Sequence, residues 1–123
     1  MYKNVKVVIG ANYGDEGKGM MTRHFVTNSE EVPVVVFHNG TAQRGHTVDY
    51  SDDFKHTYHH FGSGTADGSP TYFADTFLVH PMEFHREYAE LCNKGIKVPL
   101  CLCSPDAKVI TPFDMVVDRA FEE

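Results

Sequence analysis

Apolar positions fall in short blocks along this chain, and the spacing within the blocks changes from one to the next. The run "VKVVI" (5–9) has a β-branched bias, which predicts a short first buried strand. It passes straight into "GANYGDEGKG" (10–19), and "KGMMTRHFVT" then predicts a helix opening at the end of that loop. "VPVVVF" (32–37) predicts a second buried strand, with Pro33 at its start, where a missing N–H is tolerated. After the loop "NGTAQRGHT" (39–47), "TVDY" (47–50) and "FKHTYHHF" (54–61) read as a hairpin turning through Ser51, Asp52 and Asp53. The glycine- and serine-rich "GSGTADGSP" (62–70) predicts a surface loop, and "TYFADTFLV" (71–79) another strand.

The clearest helix is "HPMEFHREYAELCNKG" (80–95). Pro81 suits the first helical position, Gly95 suits the left-handed cap, and Met82, Phe84, Tyr88, Leu91 and Cys92 form an approximate apolar stripe. "KVPLCLC" (97–103) predicts a returning strand. In "TPFDMVVDRAFEE", Thr111, Pro112 and Asp114 form a capping box that starts a last helix. Strands alternating with loop–helix units predict an α/β fold with a mostly parallel central sheet and a strand–loop–helix start like that of phosphate-loop NTPases. No stop signal follows Glu123, so residues 1–123 read as one α/β domain of a truncated chain or a fragment.

Composition narrows the function. The formal net charge is −6 with no Lys/Arg run, which argues against an extended nucleic-acid surface but not against a small anion held by one lysine. No apolar stretch approaches the roughly 20 residues of a membrane span, and the N-terminus lacks a signal-peptide layout. Three cysteines, Cys92, Cys101 and Cys103, fit reduced thiols in a cytoplasmic protein, and "CLC" places two of them on one strand face as expected buried small hydrophobes.

Residues 10–19 pose a chemical question, because a phosphate-type loop here carries Asp15 and Glu16 where an anion belongs. The strict G-x-x-x-x-G-K-[ST] pattern fails: Gly17 and Lys18 are followed by Gly19, and Asn12 stands at the first glycine position. Gly14, Gly17 and Gly19 around Lys18 still predict inward N–H groups and a mobile cation at a helix start. Carboxylates belong there if the chemistry needs a proton acceptor or a ligand for Mg2+. The second loop carries His46 between Gly45 and Thr47, and two loops after neighbouring strands would converge at one sheet edge. His46 is there a candidate donor to a developing phosphoryl oxygen. His56, His59 and His60 lie near Asp52 and Asp53 without the spacing of a tetrahedral metal set, so they read as structural or surface residues. His24, His38, His80 and His85 read the same way.

"GDEGKG" followed by "RGHT" resembles the adenylosuccinate synthetase family, and "HHFGSG", "LVHPMEFHREYAELCNKGIKV" and "ITPFDMVVDRA" continue the likeness. The resemblance covers the whole chain but only the N-terminal part of a family member. It implies GTP-dependent joining of IMP and L-aspartate through a 6-phosphoryl intermediate, with Mg2+, in a cytoplasmic homodimer. It implies Asp15 as base and His46 as stabiliser of phosphoryl transfer, with Asp15 and the Gly45 carbonyl as metal ligands. GTP would meet Gly14, Asp15, Glu16, Gly17, Lys18, Gly19, Gly45, His46 and Thr47. IMP would meet Asp15, Glu16, Gly17, Lys18, Gln43, Arg44, Gly45 and His46.

The second loop departs from the family's usual "NAGHT": Gln43 replaces an asparagine and Arg44 a small residue. A viral branch of the family acts on dGMP and lacks the loop aspartate, so Asp15 favours IMP here. The other readings are a non-catalytic nucleotide-binding fragment and a different phosphate-loop enzyme, the latter weakened because no Ser/Thr follows Lys18.

Overall fold

A computed structural model describes residues 4–41 and 44–122. Gln43, expected at the purine, lies outside the described residues. In chain order the elements are α1 (Lys18–Thr27), β1 (Val35–Phe37), β2 (His46–Ser51), β3 (Phe54–Tyr58), a 3-10 turn (Thr65–Asp67), β4 (Thr71–Phe73), β5 (Leu78–Val79), α2 (Pro81–Asn93), β6 (Cys101–Cys103), β7 (Lys108–Val109) and α3 (Pro112–Glu122). Strands β1, β4 and β6 form a parallel sheet in that order, and β5 and β7 pair in parallel beyond it. Among the described residues only the β2–β3 hairpin is antiparallel. The expected α/β class with mostly parallel pairing is therefore present.

The strand expected at 5–9 does not form. Val5, Val7 and Ile9 are 84%, 77% and 80% exposed. A β-branched run becomes a strand only when an adjacent strand takes its N–H and C=O groups, and no described residue does so. Lys6 instead lays its ammonium 4.6 Å from the Phe25 ring centroid of α1.

The core lies on one side of the sheet. Phe37, Phe73 and Phe77 stack there, with Phe73 and Phe77 centroids 4.5 Å apart. Val48, Tyr58, Phe61 and Leu91 are buried beside them and join the hairpin to α2. "GSGTADGSP", expected at the surface, is largely interior: Ser63, Thr65 and Ser69 are buried. Glycine makes this possible, since a Cβ on Gly64 would come within 2.7 Å of a Val26 methyl. Two of the buried hydroxyls have partners, Ser69 Oγ donating to the Pro33 carbonyl and Thr71 Oγ1 accepting the Gly62 N–H, whereas Thr65 Oγ1 has none among the described residues.

Both predicted helix starts hold. His80 caps α2 by accepting the Glu83 N–H, and Thr111 and Asp114 exchange hydrogen bonds at α3. Gly95, at φ +78°, closes α2 with the Ile96 N–H on the Leu91 carbonyl. The inward face of α2 differs from the expected stripe. It presents Phe84, Glu87 and Leu91, while Met82, Tyr88 and Cys92 are exposed. Cys103 is also exposed; Cys101 is half-buried, and burial pushes its thiol up to about 12.

Glu87 is the reason β3 stops at Tyr58. Its carboxylate accepts the N–H groups of His59, His60 and Phe61. Successive N–H groups of a strand point in opposite directions, so three that converge on one anion form a nest and end the ladder. His56 and His60, both fully buried, face the same carboxylate at 3.6 and 3.8 Å.

His60 accepts the His80 N–H at 3.1 Å on Nε2 and is edged by Phe73, Phe77 and Phe84. Burial pushes its pKa down from 6.5 to about 4, against the opposing pull of Glu87. The unfolded chain therefore takes up this proton first as pH falls. The contribution to stability is complete above pH 6.5 and is lost towards pH 4. Urea unfolding is expected to show stability falling across that window, with a shallower fall in His60→Gln. An equal slope in the variant would contradict it.

Candidate nucleotide site at two glycine loops

The first loop ends in the left-handed N-cap Gly17, at φ 71°, and α1 begins at Lys18 with no side-chain cap and no acidic residue in its first turn. The opening N–H groups of α1 thus lack a side-chain acceptor, and the helix dipole favours an anion there. Asp15 takes φ 53°, a left-handed conformation that aspartate and asparagine enter more readily than other side chains. Its side chain is exposed.

Glu16 folds back into the loop. Its carboxylate accepts the Asn12 N–H and the Lys18 ammonium, the latter at 2.9 Å. Lys18 and then the Asn12 N–H hold this carboxyl below its ordinary range. The packing is close, since a Cβ on Gly10 would lie 2.0 Å from Glu16 Oε2. One of the two puzzling carboxylates is thus the loop's own counter-ion: it occupies donors that also suit a phosphate.

The second loop leaves β1 and returns at His46, the first residue of β2. Gly19 brings the loops together. A Cβ there would meet His46 Cβ at 3.1 Å and the Thr47 carbonyl at 3.1 Å, so glycine lets α1 lie directly on the start of β2 without displacing it. His46 is half-buried and parallel to Phe37, with centroids 6.4 Å apart. Burial, then the charges of Arg44 and Lys18, push its pKa down to about 4. His46 is therefore neutral at physiological pH, with an N–H to donate. The Thr47 hydroxyl is shared with Thr57 at 2.9 Å.

Gly19 thus brings the start of α1 against His46 and Thr47 of the second loop, although the strand expected before the first loop is not formed. Arg44 does not extend outwards. Its guanidinium carbon lies 3.6 Å from the Phe37 ring centroid and 4.6 Å from that of Phe77. The sequence reading missed Glu87 and the partners of His59. The available signal was a glutamate at a core position of an amphipathic helix, three residues after Phe84 and four before Leu91.

Among the described residues no group of three or more His, Cys, Asp or Glu side chains is placed to hold a metal ion, and no helix is long and apolar enough to cross a membrane.

Comparison with known proteins gives a consistent result. A family model described as adenylosuccinate synthetase matches residues 7–123. The adenylosuccinate synthetase of Mesoplasma florum is 31% identical over 121 residues, 98% of this chain and 27% of the relative. That of Streptomyces coelicolor is 32% identical over 94% of this chain and 26% of the relative. The chain thus spans about a quarter of the length of these curated relatives. A solved structure of fully ligated adenylosuccinate synthetase from Plasmodium falciparum superposes with a TM-score of 0.74 at 24% identity, over 92% of this chain and 26% of that one, which shows a shared fold. With the family match running through both glycine loops to the last helix, the chain belongs to the adenylosuccinate synthetase family.

Proposed function

We propose that this chain forms the phosphate-binding and phosphoryl-transfer part of an adenylosuccinate synthetase, a ligase that joins IMP to L-aspartate at the expense of GTP in purine biosynthesis. The observation that supports the reading is the seating of Gly19 on His46 and Thr47, with the N-terminus of α1 beside a neutral imidazole.

In this reading the N–H groups from Gly14 to Gly19 hold the GTP phosphates, and Lys18 leaves Glu16 to meet them. Asp15 accepts the N1 proton of IMP, so that the 6-oxygen attacks the γ-phosphate. His46 donates a hydrogen bond to the oxygen on which charge grows. The aspartate amine then displaces phosphate from carbon 6. The exposed Asp15 carboxylate and the Gly45 carbonyl are hard oxygen donors of the kind that suit Mg2+. Bound there, the ion would neutralise charge on the phosphate oxygens. Asp15 supports IMP over dGMP as the purine. Soluble, cytoplasmic and dimeric behaviour completes the proposal.

The test separates binding from turnover. Calorimetry of the 123-residue chain is expected to show GTP binding with Mg2+ and its loss in Lys18→Ala. The same chain is expected to make no adenylosuccinate, because it spans about a quarter of its relatives. Absent nucleotide binding, or binding indifferent to Lys18, would overturn the site assignment. Phosphate release by the isolated chain that depends on IMP and aspartate would overturn the division of labour.

A further inference from the structure

We infer that Arg44 and His59 form a reciprocal brace that positions the Gly45–His46 segment, so that Arg44 acts on phosphoryl transfer through the backbone and not by touching the purine. The inference rests on the proposed function for its kinetic consequence, and on geometry alone for the brace.

The two residues bond each other in both directions. Arg44 Nε donates to the His59 carbonyl at 2.9 Å, and His59 Nδ1 donates to the Arg44 carbonyl at 2.5 Å. A carbonyl only accepts, so His59 must carry its proton on Nδ1. Arg44 Nη1 also donates to the Asn39 carbonyl at 3.3 Å, which ties the brace to the start of the same loop. On the other side, the His59 N–H donates to Glu87 Oε1 at 3.1 Å, which anchors it to α2.

Gly40 lies close to the arginine stem: a Cβ there would lie 3.0 Å from Arg44 Cδ. Its guanidinium is held against Phe37 and Phe77, an environment that suits a planar, delocalised cation. Phe37 is also the ring parallel to His46. Gly45 then lies flat on the hairpin, where a Cβ would meet Thr57 Cγ2 at 3.0 Å and His59 Cε1 at 3.7 Å. Arg44, Gly45 and His46 are consecutive, so a backbone pinned at Arg44 from three directions fixes where the His46 ring begins.

Lysine is a poor substitute, because an ammonium cannot stack or donate along fixed divergent directions. Asparagine at position 59 keeps a side-chain donor near Nδ1, whereas phenylalanine does not.

Long-range 15N–1H NMR of the imidazoles in the 123-residue chain is expected to show His59 with its proton on Nδ1, and to show that preference lost in Arg44→Lys and Arg44→Met. In the full-length protein carrying this chain, both variants are expected to lower kcat by about 10–100-fold, the range for a displaced reacting group, with KM for IMP changed by less than about threefold. His59→Phe is expected to behave alike and His59→Asn to retain most turnover. A His59 proton on Nε2 in the unsubstituted chain would overturn the brace. A rise in KM for IMP with kcat and the tautomer unchanged would make Arg44 a purine contact. Unchanged kinetics alongside a lost tautomer would reduce the pair to a purely structural one. If the unsubstituted full-length protein makes no adenylosuccinate, the proposed activity fails, and the tautomer alone judges the brace.

Discussion

Asp15→Asn is expected to lower turnover of the full-length protein by at least about 10²–10⁴-fold, the usual worth of a positioned general base, and to leave nucleotide affinity within about tenfold, since it removes an interaction of the transition state. The substitution is chosen for the backbone. Asp15 sits at φ 53°, and asparagine tolerates that conformation as well as aspartate does. The loop therefore keeps its shape, Lys18 keeps its place, and only proton acceptance and one negative charge disappear. If Asp15 were a turn residue and nothing more, the variant would be nearly silent. The measurement is steady-state kinetics with IMP, GTP, aspartate and Mg2+, beside calorimetry with GTP. Turnover within tenfold of the unsubstituted protein would sink the mechanism. His46→Asn is expected to follow the same pattern, with turnover falling more than binding.

The second large effect is on stability. Glu87→Ala removes the acceptor of three N–H groups, those of His59, His60 and Phe61, at a side chain only 4% exposed. It also leaves His60 without the carboxylate it faces, while His56 keeps Glu90 at 3.3 Å. Leaving buried N–H groups without their acceptor costs about 1–3 kcal/mol each, so a total loss of about 3 kcal/mol or more is expected. Glu87→Gln keeps one acceptor oxygen and adds an N–H pair to a donor-rich pocket, so a smaller loss of about 1–3 kcal/mol is expected. Urea unfolding at pH 7 measures both. A loss below about 1 kcal/mol in Glu87→Ala would mean that water replaces the carboxylate at the nest.

Local chemistry made much of this chain legible in advance. Pro81, Gly95, Thr111 and Asp114 marked helix ends correctly, because caps depend on neighbours within one turn. The hairpin was visible in its two runs and the acidic turn between them. Gly17, Lys18 and Gly19 marked a helix start suited to an anion, and "RGHT" marked the second loop, because both depend on a few adjacent residues.

Where the reading failed, the deciding partner was distant in sequence. "VKVVI" has every mark of a strand, yet strand identity belongs to a pair, and no described segment takes its hydrogen bonds. "GSGTADGSP" looks like a solvated loop, but Val26, Pro33 and Val35 close over it. "HTYHH" cannot announce that Glu87 will draw three N–H groups from its end and stop the strand. The sequence by itself determined the α/β class, the caps, the hairpin and the two glycine loops, all set by propensity and short-range geometry. Only the tertiary structure decided that Gly19 lies on His46, that Glu16 fills the first loop, and that Arg44 turns inwards to His59. Each of those is a contact between segments that meet only when the chain folds.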